Sequence, residues 1–364
     1  MKKLLLLIFL AMPASSATRE RRADENRIII DVESEAKPRI EIVKVVPLEY
    51  NDSCVIDRYS RLTGNDSCWF VYSYKTVTVF DKAGKHLHTI DAIGKAENEF
   101  LQVGDVSVSP HENILWINDQ QSKKLLKFDE TGKCTEVQKY SKYYYDFEII
   151  GDRIFGDIFV NSDSPYSLVV MDKRHRIQKE EINKVRLERT IDMSSYNKFS
   201  WQNETLYYVP SFSNCIYRIE KDGAKLAYRF DFGDHWADSV FVKDQLGSKS
   251  LSEFRKRLDR EKKLYFLGFN RNTRFLNLYF WMNKCPHNLF YDLETGKQYL
   301  NVSEEESGKK GALDEPVWLV EDDLFVTMVD AYKIASEPIY ADIRAKYDIG
   351  EDSNPVIICY KIKG

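Results

Sequence analysis

Hydrophobic and polar positions alternate with a period of two along most of the chain, and the alternating stretches come in pairs. Five times an apolar strand runs into an acidic residue and then a tight turn, usually closed by Gly and a basic residue: 77–85, 125–133, 168–176, 216–223 and 289–297. A sixth strand, 355–361, takes the same place near the C-terminus without the turn. Ahead of each stands a second apolar strand, at 68–72, 114–117, 154–158, 206–209, 276–280 and 324–328. Two strands joined by a turn, flanked by further β-branched segments, make about four strands per unit. The ends of the first four phrases, Gly84, Gly132, His175 and Gly223, are 48, 43 and 48 residues apart, and 73 more lead to Gly296. The shorter spacings are those of propeller blades, about 40 to 50 residues each.

The turn has a local cause. Asp at its start offers a carboxylate to the turn's own NH groups, and Gly supplies a positive φ. In the third copy His175 stands at the Gly position, where the spacing predicts a left-handed backbone that His tolerates better than most side chains.

A closed ring has to join its ends, because an open edge strand templates aggregation. Residues 40–46 alternate with strand period ahead of the first unit and are expected to pair with the last blade. Residues 18–38 are charged and read as a flexible arm. Two insertions break the metre. In 238–263 the apolar positions Leu251, Phe254 and Leu258 mark an amphipathic helix, with Ser250 as its cap and Glu253 completing a capping box. The stretch 335–347 repeats the pattern with Ile339, Ile343 and Tyr347. The fold read from these patterns is all-β, a six-bladed β-propeller over 39–364 with helical insertions in blades 5 and 6.

Composition narrows the setting. Over 364 residues, 43% hydrophobic positions supply a large core and 30% charged positions a soluble surface. Residues 1–17 have two lysines, an apolar run and small residues at 14–17, the layout of a cleaved signal peptide, and the run is too short to span a bilayer. No cysteine follows the expected cleavage near Ala17, so free export to the periplasm or beyond is expected instead of lipid anchoring. Cleavage leaves 51 basic against 57 acidic residues, a balance that argues against a nucleic-acid partner. The six cysteines are scattered with no CxxC pair and read as small buried apolar residues; Cys54 and Cys68 alone are near enough in sequence to suspect a local bridge.

Val46-Pro47-Leu48-Glu49, the segment 80–85 followed by 94–100, and the late 353–356 together resemble the six-bladed β-propeller family of exported Bacteroidetes proteins, related to NHL-repeat propellers. The resemblance spans roughly 40–362 and implies a fold more than an activity. The family's middle segment reads Gly-x-Gly-Pro-Gly-Glu-aromatic. Here Gly94, Glu99 and Phe100 match, while Ala96, Glu97 and Asn98 replace Gly, Pro and Gly, which speaks against a glycine nest for a ligand.

Propellers gather the starts of their inner strands around a central channel. Asp57, Asp105, Asp146, Asn197 and Asp314 fall near such starts, and Arg271 near the one in the remaining unit. Convergent carboxylates suit a hard cation, Ca²⁺ at the channel mouth, or sugar hydroxyls; the structural alternative is that each caps a turn. Most aromatics are expected between blades. Tyr145, Trp236 and Trp318 lie in loops or at strand starts, where stacking on a ligand is possible, and His235 is the histidine best placed for a role. No HExxH, GxSxG or phosphate loop occurs. The expectation is a monomeric exported binding or scaffolding module, without a resident cofactor, that recognises a glycan or protein partner through one loop-rich face. The alternative is a metal-dependent lyase or hydrolase with its site in the channel.

Overall fold

A computed structural model describes residues 26–363, apart from 110, 143, 188–196, 203, 222, 247–249, 303–312 and 314. The expected signal peptide and Asp314 lie outside the described residues.

The strands follow the two-residue period of the sequence and fall into six sheets. Ahead of the first blade come β1 (Arg27–Ile29) and β2 (Arg39–Pro47). Blade 1 is β3 (Arg61–Gly64), β4 (Cys68–Tyr72), β5 (Val77–Asp81) and β6 (His86–Ile90). Blade 2 is β7 (Asp105–Val108), β8 (Leu115–Asp119), β9 (Lys124–Phe128) and β10 (Cys134–Lys139). Blade 3 is β11 (Phe147–Ile150), β12 (Arg153–Asp157), β13 (Tyr166–Asp172) and β14 (Ile177–Asn183). Blade 4 is β15 (Phe199–Gln202), β16 (Thr205–Tyr208), β17 (Cys215–Glu220) and β18 (Gly223–Asp231). Blade 5 is β19 (Tyr265–Arg271), β20 (Phe275–Met282), β21 (Cys285–Asp292) and β22 (Gln298–Val302). Blade 6 is β23 (Leu319–Glu321), β24 (Leu324–Val329) and β25 (Val356–Lys363), with β2 as its outermost strand. The protein is thus a six-bladed β-propeller, latched where β2 runs antiparallel to β25 from Arg39↔Lys363 to Pro47↔Val356.

Six apolar clusters sit one between each pair of adjacent blades, and they hold the ring together. The 6–1 seam packs Val46, Trp318, Ile357 and Cys359 against Leu62, Trp69 and Phe80. The 4–5 seam is rich in aromatics, with Tyr207, Phe230, Phe232, Phe269 and Phe280. Wedge-shaped sheets widen outward, and large rings fill that widening gap while burying more area per residue than aliphatics. All six cysteines are free thiols, so the suspected Cys54–Cys68 bridge is absent; Cys54 instead packs in the same cluster as Cys359.

The repeated turns behave as their chemistry dictates. Asp129 Oδ1 accepts from the NH groups of Thr131 and Lys133, and Asp172 Oδ1 from those of Arg174 and Arg176. His175 has φ +56°, beside +79° and +72° at Gly132 and Gly296. Its ring offsets the strain by bonding Gln138 and packing on Tyr140 at 5.6 Å.

Three expectations need correction. The described part of 18–38 is not a loose arm: β1 adds a parallel fifth strand to β18, Ile30 and Val32 are buried, and the Ala36 carbonyl accepts from Leu300 NH in β22. Charge made this segment look disordered, but its isoleucines and valine find a seam to fill. The first helical insertion, α1 (Ser239–Leu246) and α2 (Leu251–Arg260), lies in the link between blades 4 and 5 instead of within blade 5, with the expected capping box on Ser250 and Glu253. The second is not one helix over 335–347. Pro338 cannot continue the NH ladder, so α3 (Ala331–Ser336) stops, a single 3₁₀ turn follows, and α4 (Ala341–Lys346) starts anew.

Candidate functional site

Because the strands alternate in direction, long connections gather on one face and short turns on the other. The long ones are 48–60, 91–104, 140–146, 232–264 and 330–355, at the starts of the inner strands. The short ones include 65–67, 82–85, 129–133 and 322–323. Between the faces runs the channel.

A chamber of about 90 Å³ lies inside the ring, lined from β3, β7, β11 and β15 and the residues just before them, together with Trp318 and β23. Its charged side chains are Arg61, Asp105, Asp146, Glu148 and Lys198. A period of two explains their convergence: 105 and 107, 146 and 148, and 198 and 200 are same-face pairs on neighbouring inner strands, so each blade puts polar atoms toward the axis. The chamber shares Thr63, Gly64, Glu148, Trp201, Leu319 and Val320 with a wider mouth of about 490 Å³. Asp66, His111, Glu204, Glu321 and Asp322 rim that mouth, all at the ends of inner strands, so it opens on the short-turn face.

Asp105 is 6% exposed; its Oδ2 accepts from Phe147 NH at 3.0 Å and its Oδ1 from the Tyr72 hydroxyl at 3.3 Å. Burial pushes its carboxyl up to about 7 against the opposing pull of Arg61. Glu148 stands at the throat, accepting from Ser107 Oγ at 2.7 Å, and burial raises it to about 7 as well. Asp157, behind the chamber wall, is raised by burial and accepts from the Tyr208 hydroxyl at 2.5 Å. Asp146 differs from all of these. It is 4% exposed, neither of its carboxylate oxygens has a hydrogen-bond partner, and the Arg61 guanidinium stops 3.9 Å short of it. Burial, then the neighbouring Asp105, hold its carboxyl well above the usual range.

The other side of the chamber is tied shut by hydrogen bonds. Asn197 Nδ2 donates to the Trp318 carbonyl, Ser200 Oγ to Asn270 Oδ1 at 2.9 Å, and Asn270 Nδ2 to the Val317 carbonyl at 2.8 Å, which binds blades 4, 5 and 6 together. Lys198, 2% exposed, donates to Ser211 Oγ at 2.6 Å.

Of the residues singled out from sequence, Asp105, Asp146, Asn197 and Trp318 line the chamber. Five others do not. Asp57 is exposed in the 48–60 loop, where its carbonyl accepts from Ser60. Arg271 ends β19 instead of starting it and donates to the Tyr207 hydroxyl in the 4–5 seam at 2.8 Å. Tyr145 packs edge-on against Phe159 at 4.9 Å. His235 bonds the Lys262 carbonyl at 2.9 Å, and Trp236 stacks on Phe232 at 5.8 Å, so both dock the helical insertion. Arg61, Glu148 and Lys198 escaped the sequence reading. The signal for two of them was present, since Glu148 lies two residues after Asp146 and Lys198 two before Ser200 on strands with inward-facing alternation. Among the described residues, no three His, Cys, Asp or Glu side chains are grouped as ligands of one metal ion.

The loop at 94–100, where the sequence departs from the glycine-rich pattern, is closed on itself. Lys124, 6% exposed, donates to the carbonyls of Ala96 at 3.2 Å and Glu99 at 2.5 Å, and Ala96 NH donates to the Glu99 carboxylate. The NH groups of Gly94, Ala96, Glu99 and Phe100 all bond within residues 92–100.

Comparison with known proteins agrees with the architecture. The family described as a domain of unknown function, DUF4934, matches residues 31–361. A crystal structure of a putative exported protein from Bacteroides fragilis superposes with a TM-score of 0.79 at 16% identity, over 93% of this chain and 99% of that one. A member of the DUF4221 family from Bacteroides vulgatus superposes with a TM-score of 0.52 at 10% identity, over 91% of this chain and 100% of the other. No curated protein matches the chain. Among the described residues, no helix is long and apolar enough to cross a membrane.

Proposed function

The chain belongs to the DUF4934 family, and from its channel we propose that it is an exported binding module, one copy of which takes a polar group of a glycan or protein partner into the centre of the propeller. The observation that carries this reading is Asp146, a buried carboxyl with no hydrogen-bond partner on either oxygen, aimed into a chamber that leads outward through a wider mouth. Burying such a group without a hydrogen bond costs free energy, and a fold tolerates it where a ligand supplies the missing partner. The face the geometry favours is that of the short turns, since the mouth opens there. The similarity to a putative exported Bacteroides protein supports the exported setting. The overall negative charge weighs against nucleic acid as the partner.

The test uses glycan and peptide arrays probed with the full chain and with Asp146→Asn, with and without added Ca²⁺. Hits that vanish in the variant support the channel as the site. An identical set of hits with both proteins would exclude it.

A further inference from the structure

Resting on that reading, we propose that the group the channel takes is an organic cation, the ammonium or guanidinium at the end of a basic side chain of a protein partner, entering from the short-turn face and ending against Asp146. Size is the first argument. The chamber of about 90 Å³ has the volume of about three waters, which suits a narrow head on a methylene stem and is too tight for a whole pyranose ring. A Ca²⁺ ion needs six or more oxygen ligands, and among the described residues no three His, Cys, Asp or Glu side chains group as ligands of one metal ion.

Charge is the second argument. Three carboxyls in the chamber or its throat, Asp105, Asp146 and Glu148, face two cations, Arg61 and Lys198. Lys198 is turned to Ser211, and Arg61 stands 3.9 Å from Asp146 without bonding it. A cation seated against the Asp146 carboxyl, on the side away from Arg61, completes the balance that the chain leaves open. The approach is graded in the same sense. At the mouth Lys82 pairs with Glu321 and His111 with Asp66, while Glu204 and Asp322 add negative charge to the rim. A rim of net negative charge over low-dielectric walls concentrates cations. Trp201, which lines both spaces, offers an apolar surface to the stem.

The experiment titrates the full chain calorimetrically with N-acetyl-lysine methylamide, N-acetyl-arginine methylamide, the uncharged N-acetyl-norleucine methylamide, glucose and Ca²⁺, in parallel with Asp146→Asn. The expected result is binding of a cationic probe and not of the norleucine probe, weakened about tenfold or more in the variant, the loss of one charge-assisted hydrogen bond. Circular dichroism shows whether the variant is folded. A second variant, Glu204→Gln with Asp322→Asn, is expected to bind more weakly and with less dependence on salt. Norleucine, glucose or Ca²⁺ binding as tightly as the cations, or cation binding that Asp146→Asn leaves unchanged, overturns the proposal. If no cationic probe binds but array hits are lost in Asp146→Asn, the cation proposal falls and the channel reading stands. If the array hits also persist, both fall.

Discussion

Asp105 and Glu148 make the channel a pH-dependent element of stability. In the folded chain their carboxyls titrate at about 7, whereas unfolded carboxyls titrate near 4. Between these values the folded state holds protons the unfolded state has released, so these groups make stability fall as pH rises through the window and level off above it. Melting curves of Asp105→Asn should therefore overtake wild type as pH is raised from about 5 to about 8, and equal differences at both ends would refute the assignment. Asp146→Asn removes a buried carboxyl that makes no hydrogen bond and whose ionisation burial opposes; as pH rises toward about 8 it should stabilise by about 1 kcal/mol, roughly 2 °C. The opposite sign would mean that Asp146 is satisfied in solution. How much of this was legible follows from locality. Turn carboxylates and the positive φ of His175 are fixed within five residues, and the sequence states them outright. Whether a carboxylate near a strand start faces the axis depends on where the strand begins. The long interval before Gly296 hides the start of β19, so that Arg271, which ends the strand, reads from the sequence as its beginning.

At the level of elements, the insertion between blades 4 and 5 docks on the ring through an apolar cluster of its own. Phe254 and Leu258 of α2 pack with Val242, Ala237 and Tyr279 in a cluster separate from the seams. Ser250→Ala should cost that helix about 1 kcal/mol, seen as faster amide exchange over 251–260 with little change in the global melt. A matching drop in global stability would show that the insertion melts with the ring. Gly84 is a stricter position: its φ is +89°, and a Cβ there would meet the Pro47 carbonyl at 2.3 Å. Gly84→Ala should destabilise by about 1 to 2 kcal/mol, read by denaturant titration. Both helical insertions were visible as amphipathic stretches, since a period of 3.6 is strong over two turns. The break at Pro338 was overlooked because the apolar spacing ran through it unchanged.

For the molecule as a whole, the six blades were readable because each repeat restates its own strands and turn. The path of residues 27–36 was not, since a three-residue parallel strand paired with β18 has no period to detect and its partner lies some 200 residues away. Deleting residues 1–36 should leave a monomer of reduced stability, while deleting 1–47 should bare β25 and aggregate; a monomeric 1–47 deletion in size-exclusion chromatography would show that β2 does not seal the wheel. That latch also sets a timetable. Its two halves are separated by nearly the full length of the chain, so blade 6 cannot be finished until the ribosome has delivered residues 356–363. Long-range pairing of this kind is slow to form. Until then blade 6 lacks the strand that joins β2 to β24, and the ring stays open.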